Sequence, residues 1–129
     1  MDGIRIFRFE DPDEMRVFDL GKFELIHAAG MTIGRAEYEP GWRWSEHVGK
    51  AIGQTLCPTP HLGMVLSGRN RVEMADGTFT DLRPGDIFEI GPGHDSWVLG
   101  RRAVRLAPLP RRGGLHGPLT AVSPPLRRA

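Results

Sequence analysis

The punctuation of residues 31–107 most constrains what this chain can fold into: short runs rich in β-branched and aromatic residues, each closed by Gly, Pro-Gly or Asp-Gly before it can lengthen. Runs of this kind are strands, because branched and aromatic side chains suit a pleated, half-buried surface and the closing residues supply turn geometry. They fall at Ile4–Phe9, Phe23–Ala28, Met31–Tyr38, His61–Ser67, Arg71–Ala75, Thr78–Leu82, Asp86–Ile90, Ser96–Leu99 and Ala103–Ala107. Asp76-Gly77 predicts a two-residue hairpin loop of the primed type, with positive φ at both positions. Gly68, Pro84-Gly85 and Pro92-Gly93 mark further turns. Glu10–Met15 reads as a polar turn, with room for one helical turn after Pro12. Short strands with turns at regular spacing predict an all-β sandwich or barrel, and periodicity alone leaves both open.

A chain of 129 residues has room for one domain with one core. Its 17 glycines and 11 prolines fit many turns and argue against long helices. Cys57, the single cysteine, has no internal disulfide partner, which fits a reducing compartment and makes the cytoplasm the default location. The N-terminus mixes charges into its apolar residues, unlike a signal peptide, and no run reaches the length of a membrane span. The net charge of +1 hides an asymmetry, −6 over residues 1–100 and +7 over residues 101–129. Residues 1–107 are therefore read as the domain, and the Pro/Gly/Arg-rich residues 108–129 as an extended or disordered tail. Its arginines lack interleaved aromatics, so a solvated tail is the better reading than a nucleic-acid surface.

Two blocks deliver histidines toward one place. Gly41 is followed by five residues and then His47, and six residues separate His61 from Gly68. Gly85 opens a second block, Gly91-Pro-Gly-His94-Asp-Ser-Trp97, with Gly93 at the expected spacing. This pattern resembles the two motifs of the cupin superfamily, over roughly residues 31–107. Trp-Arg-Trp-Ser-Glu-His and Pro-Gly-His-Asp-Ser-Trp-Val further resemble a small cupin subgroup also found fused to nucleotide cyclase domains. The resemblance implies a cupin-type double-stranded β-helix, a jelly-roll barrel, as well as a sensing or regulatory role and a homodimer. The chemical positions depart from the pattern. His61 stands where a glutamate is usual, and between His47 and His61 the chain is about seven residues longer than the pattern, which requires a longer loop. Counting back from His61 puts Thr55 and Cys57 at the usual His-x-His pair, and Ser96 takes the place of the last histidine. His94 lies two residues earlier, a shift that preserves strand face.

Cys57 and His61 are four apart in a stretch held extended by Pro58 and Pro60, so both can face one side. With His94 from a neighbouring strand they make a thiolate and two imidazoles, a set suited to Zn(II) or to Fe, Mn or Ni, and His47 is the candidate fourth ligand. Against this, a lone cysteine also serves as a small buried hydrophobe, and each histidine also satisfies loop carbonyls. Trp42, Trp44, Trp97 and Tyr38 are the candidate lining of a ligand pocket, or else simply close one end of a barrel. Asp95 is a candidate to orient His94, and Arg43 should face away from the tryptophans beside it. The expected function is binding of a small molecule, with a divalent metal, for sensing or regulation. The alternative is a metal-dependent enzyme of the dioxygenase, isomerase or lyase type.

Overall fold

The computed structural model describes residues 2–109. Nine strands form: β1 (Glu14–Phe18), β2 (Gly21–Ala28), β3 (Met31–Tyr38), β4 (His61–Ser67), β5 (Arg69–Met74), β6 (Phe79–Leu82), β7 (Ile87–Ile90), β8 (His94–Leu99) and β9 (Val104–Pro108). One sheet has the order β1-β2-β3-β9-β4-β7 and the other β6-β5-β8, with every pairing antiparallel. Between β3 and β4 the chain makes a π-helical turn, Ser45–Gly49, and a short helix α1, Lys50–Ile52. The ends of this excursion still pair along the free edge of β8, through bridges Arg43↔Trp97 and Cys57↔His94.

Side-chain alternation builds the core. Along β4, His61, Gly63 and Val65 are buried on one face, and along β9 Val104 and Leu106 are. Phe23, Ala36 and Tyr38 from the larger sheet meet Val72, Leu82 and Val98 from the smaller one in a single cluster. Each such side chain, once buried, is worth about 1.5–3 kcal/mol for the larger apolar types. Tyr38 stacks against Trp42 with ring centroids 4.1 Å apart, which carries the core from β3 into the excursion.

Two expectations about the amino-terminal part are corrected. Ile4–Phe9 is not a strand: it has no ladder partner among the described residues, and Ile4 and Ile6 are 90% and 69% exposed. The strand is instead Glu14–Phe18, part of which had read as a polar turn, because the tight connection at Asp19-Leu20 folds it onto β2 with Phe18 opposite Gly21. Apolar composition makes a strand only where the chain brings an edge to pair with. A third correction concerns Asp76-Gly77. The hairpin forms, but positive φ occurs at Gly77 alone. Met74 N–H donates to Thr78 O and Gly77 N–H to Met74 O, which makes a three-residue loop in which Asp76 Oδ1 accepts from Thr78 N and Oγ1. The last strand among the described residues runs through Pro108, and residues 110–129 of the expected tail lie outside the described residues.

The outer face of the larger sheet carries an ionic row. Arg35 Nε donates to Glu24 Oε1 at 2.9 Å, and Arg105 Nε donates to Glu37 Oε1 at 2.7 Å, with Lys22 beside both acids. Burial raises the Glu37 pKa, but the Arg105 hydrogen bond and the charges of Lys22, Arg105 and Arg35 outweigh it and hold the carboxyl below its ordinary value. A carboxylate depressed in the folded state contributes stability that is complete above its unfolded value, near 4.5, and that is lost as pH falls through the folded value. Glu37→Gln is therefore expected to flatten the dependence of folding stability on pH below about 5, measured by denaturant unfolding across an acid series. An unchanged slope would place the acid sensitivity elsewhere.

Candidate metal centre and cavity

The residues that carry the candidate chemistry come from three places. His61 opens β4, His94 opens β8, and Cys57 ends the excursion that lies along the edge of β8. The Cys57–His94 pairing is tight: Cys57 N–H donates to His94 O at 2.7 Å, and Gly93 N–H donates to Cys57 O at 2.7 Å. This ladder, rather than side-chain contact, fixes thiol and imidazole next to each other. One ligand atom each from Cys57, His61 and His94 lies within 4.8 Å of the others, and all three residues are buried.

The donor set fits a metal ion on three observations. Cys57 Sγ stands 3.5 Å from His61 Nε2, about the separation of neighbouring ligand atoms around a tetrahedral zinc. The rings of His61 and His94 meet edge to face with centroids 4.8 Å apart. His94 Nδ1 lies 2.8 Å from Gly91 O, so its N–H is donated to that carbonyl and its Nε2 lone pair is left for a ligand role. Burial lowers the His94 pKa, against the Gly91 bond and Asp95, which favours the neutral imidazole. Burial also raises the Cys57 thiol, against hydrogen bonds at Thr59. A bound cation would reverse the thiol's preference by holding the thiolate directly.

His47 stands apart from this group. The helical turn after Trp44 folds its ring back onto its own backbone, where Nδ1 takes the Arg43 N–H at 2.9 Å and Nε2 faces Asp19 Oδ2 at 3.9 Å. Asp95 does not orient His94 either. Its buried carboxylate accepts from Arg43 Nε (2.8 Å), Ser45 N (3.0 Å), Ser45 Oγ (2.8 Å) and Ser96 N (2.9 Å), which clamps the excursion onto β8. Adjacent strand positions point oppositely, so His94 faces the interior and Asp95 the clamp. Trp97 shares that outward face, with Arg43 Cζ 4.4 Å above its ring, and it does not line the cavity.

The cavity lies between the sheets, next to His61 and His94. Of the four residues expected to line a pocket, Tyr38, Trp42 and Trp44 do so, together with Val72, Phe88 and Leu106 among others. Its volume is about 40 Å³. Ser96 lines it as well, so the two-residue shift from the usual histidine position to His94 did preserve the face. Sequence reasoning passed over Asn70, which also lines the cavity. Its signal was available, because Asn70 and Val72 share strand parity and a polar residue thereby enters an apolar face.

No family model matches the sequence, and no curated protein does. Solved structures do. A protein of unknown function from Rhizobium leguminosarum bv. viciae aligns with a TM-score of 0.50 and 22% identity, over 85% of this chain and all of that one. The Drosophila melanogaster CENP-C cupin domain aligns with a TM-score of 0.49 and 16% identity, over 73% and 74% of the two chains. The Schizosaccharomyces pombe Cnp3 cupin domain does so at 0.45 and 17%, over 70% and 60%. The deciding observation is strand order. With the excursion taken as a strand broken by helical turns, β3-β9-β4-β7 faces excursion-β8-β5-β6, the two interleaved sheets of a jelly roll.

The chain has a cupin fold. In this fold, His61 and His94 line the interior cavity and Cys57 stands beside them, with one donor from each of two strands and one from the segment that replaces a strand. No helix among the described residues is long and apolar enough to cross a membrane.

Proposed function

We propose that this cupin binds a small molecule in its interior cavity, beside a divalent metal held by Cys57, His61 and His94, and that it acts in sensing or regulation. The observation that carries the reading is the convergence of three buried donors, one of them preset by the Gly91 carbonyl, at the edge of a cavity. A thiolate with two imidazoles suits Zn(II) or another borderline-soft ion, and such an ion would supply a Lewis-acidic point to which an oxygen or nitrogen of a ligand can bind. The protein's own part is to hold the ligand set. Gly91 O fixes the His94 tautomer, the Cys57–His94 ladder fixes the thiol, and the Asp95 clamp holds the excursion that carries it. The titratable side chains of the lining are Tyr38, His61 and His94, and the reading assigns both histidines to the ion.

A metal-dependent enzyme is the second reading, favoured by the count of donors: three protein ligands are the number that catalytic zinc sites use, leaving a position for substrate. Recovery of a bound molecule unchanged after prolonged incubation supports the binding role, and its conversion supports the enzyme.

Cobalt(II) tests the shared premise. Loaded into tag-free protein, it is expected to give a near-ultraviolet thiolate-to-metal absorption band that Cys57→Ser abolishes while imidazole-dependent visible bands persist more weakly. A cobalt complex with no thiolate band would remove Cys57 from the ligand set.

A further inference from the structure

We infer that the cavity selects small, uncharged molecules that carry both a hydrogen-bond acceptor and an N–H or O–H donor, of which a primary carboxamide is the simplest, recognised by the Trp42 indole N–H and the Asn70 side-chain oxygen. The inference rests on the reading that this cavity takes a small molecule, and it names the chemical class. Trp42 and Asn70 are 4% and 8% exposed, and both line the cavity. Trp42 Nε1 and Asn70 Oδ1 are buried with no hydrogen-bond partner among the described residues. A buried donor and a buried acceptor without partners, on two residues that line one cavity, are an uncommon and costly pair, and a molecule there that reaches them with the complementary acceptor and donor removes both penalties together.

Charge and size narrow the class. The cavity wall includes Val72, Leu82, Phe88, Val98 and Leu106 beside the polar His61, His94 and Ser96, and no Lys or Arg among the described residues lines it. In the metal-free protein a carboxylate or phosphate would enter without a Lys or Arg countercharge from the wall, which a largely apolar enclosure disfavours. A volume of about 40 Å³ is the space of about three or four water-sized positions. That admits a molecule of about four non-hydrogen atoms, or the equivalent end group of a longer one. Acetamide meets each condition, and acetate has its shape with the wrong charge and no donor.

The experiment titrates tag-free, ¹⁵N-labelled protein with acetamide and with acetate, in zinc-loaded and in chelator-treated form. The chelator-treated form prevents a bound cation from holding the carboxylate. Acetamide is expected to shift the Trp42 indole N–H resonance saturably in both forms, and acetate is expected to leave it unmoved in the metal-free form at the same concentration. Trp42→Phe and Asn70→Leu are each expected to weaken acetamide about tenfold, as saturation-transfer difference signals read directly. If either variant fails to fold, the wild-type indole resonance still decides. Equal binding of acetate in the metal-free form, or no saturable shift with acetamide, overturns the assignment. Xenon separates the two levels of failure. Xenon entry without acetamide leaves a ligand cavity of another class, whereas entry of neither removes the ligand-binding reading as well.

Discussion

Gly68→Ala is expected to destabilise the domain by about 4 kcal/mol or more, most of the stability of a domain at the low end of the usual range of about 5–15 kcal/mol. Gly68 joins β4 to β5, and therefore one sheet to the other, with φ +75. A Cβ built there would overlap the carbonyl oxygen of Ala103 and press on the Val104 backbone, which belongs to the neighbouring β9. Backbone atoms of a paired strand cannot swing aside as a side chain does, so the clash would have to move the β4–β9 ladder. Gly77→Ala is the control. Its φ is also positive, at +89, but nothing lies within 4 Å of a Cβ there. It should cost only the left-handed penalty of about 1–2 kcal/mol. Denaturant unfolding of both variants separates crowding from conformation, and equal losses would show that crowding at Gly68 is relieved cheaply.

Zinc is expected to raise the melting temperature of the wild-type protein by roughly 15 °C or more when free zinc exceeds its dissociation constant a thousandfold. That excess corresponds to about 4 kcal/mol of linkage, and a domain of this size gains about 4–8 °C per kcal/mol. The stabilisation should be largely lost in His94→Ala. This side chain is 2% exposed and its Nδ1 bond to Gly91 O leaves Nε2 as the ligand atom, which alanine removes. The corresponding loss for His47→Ala should be small, because its ring is directed to Arg43 and Asp19. Differential scanning fluorimetry with and without zinc, on tag-free protein, reads both. A His47→Ala variant that loses the zinc shift while His94→Ala keeps it would reverse the assignment of ligands.

The parts of this structure that were legible in the sequence are those that depend on local chemistry. Gly68 and Gly85 set turns that the strands obey, and alternation placed His61 with Val65 and His94 with Val98 on inner faces. Chain partners were harder to read. Ile4–Phe9 has the composition of a strand, but no sheet edge among the described residues pairs with it, while Glu14–Phe18, with its charges, is paired because a tight turn delivers it to β2. The residues after Trp44 illustrate a different limit. The excess length between His47 and His61 predicted a loop, and the chain fills it with a π-helical turn and a short helix that turn His47 away from the cluster. No local signal distinguishes that path from an extended one, because what stabilises it is Asp95, half the chain away, accepting hydrogen bonds from Arg43 and Ser45. Asn70 was visible through parity but needed the opposing sheet to show that its face is closed.

The central claim is that Cys57, His61 and His94 hold one divalent metal ion beside the cavity. Elemental analysis of protein purified without a histidine tag and without chelators tests it most directly. The expected result is about one equivalent of Zn, Fe, Mn or Ni per chain, absent from both His61→Ala and His94→Ala while their strand content by circular dichroism is retained. A folded wild-type protein that carries no metal and takes up none from excess zinc, or a His94→Ala variant that keeps its full equivalent, would contradict it.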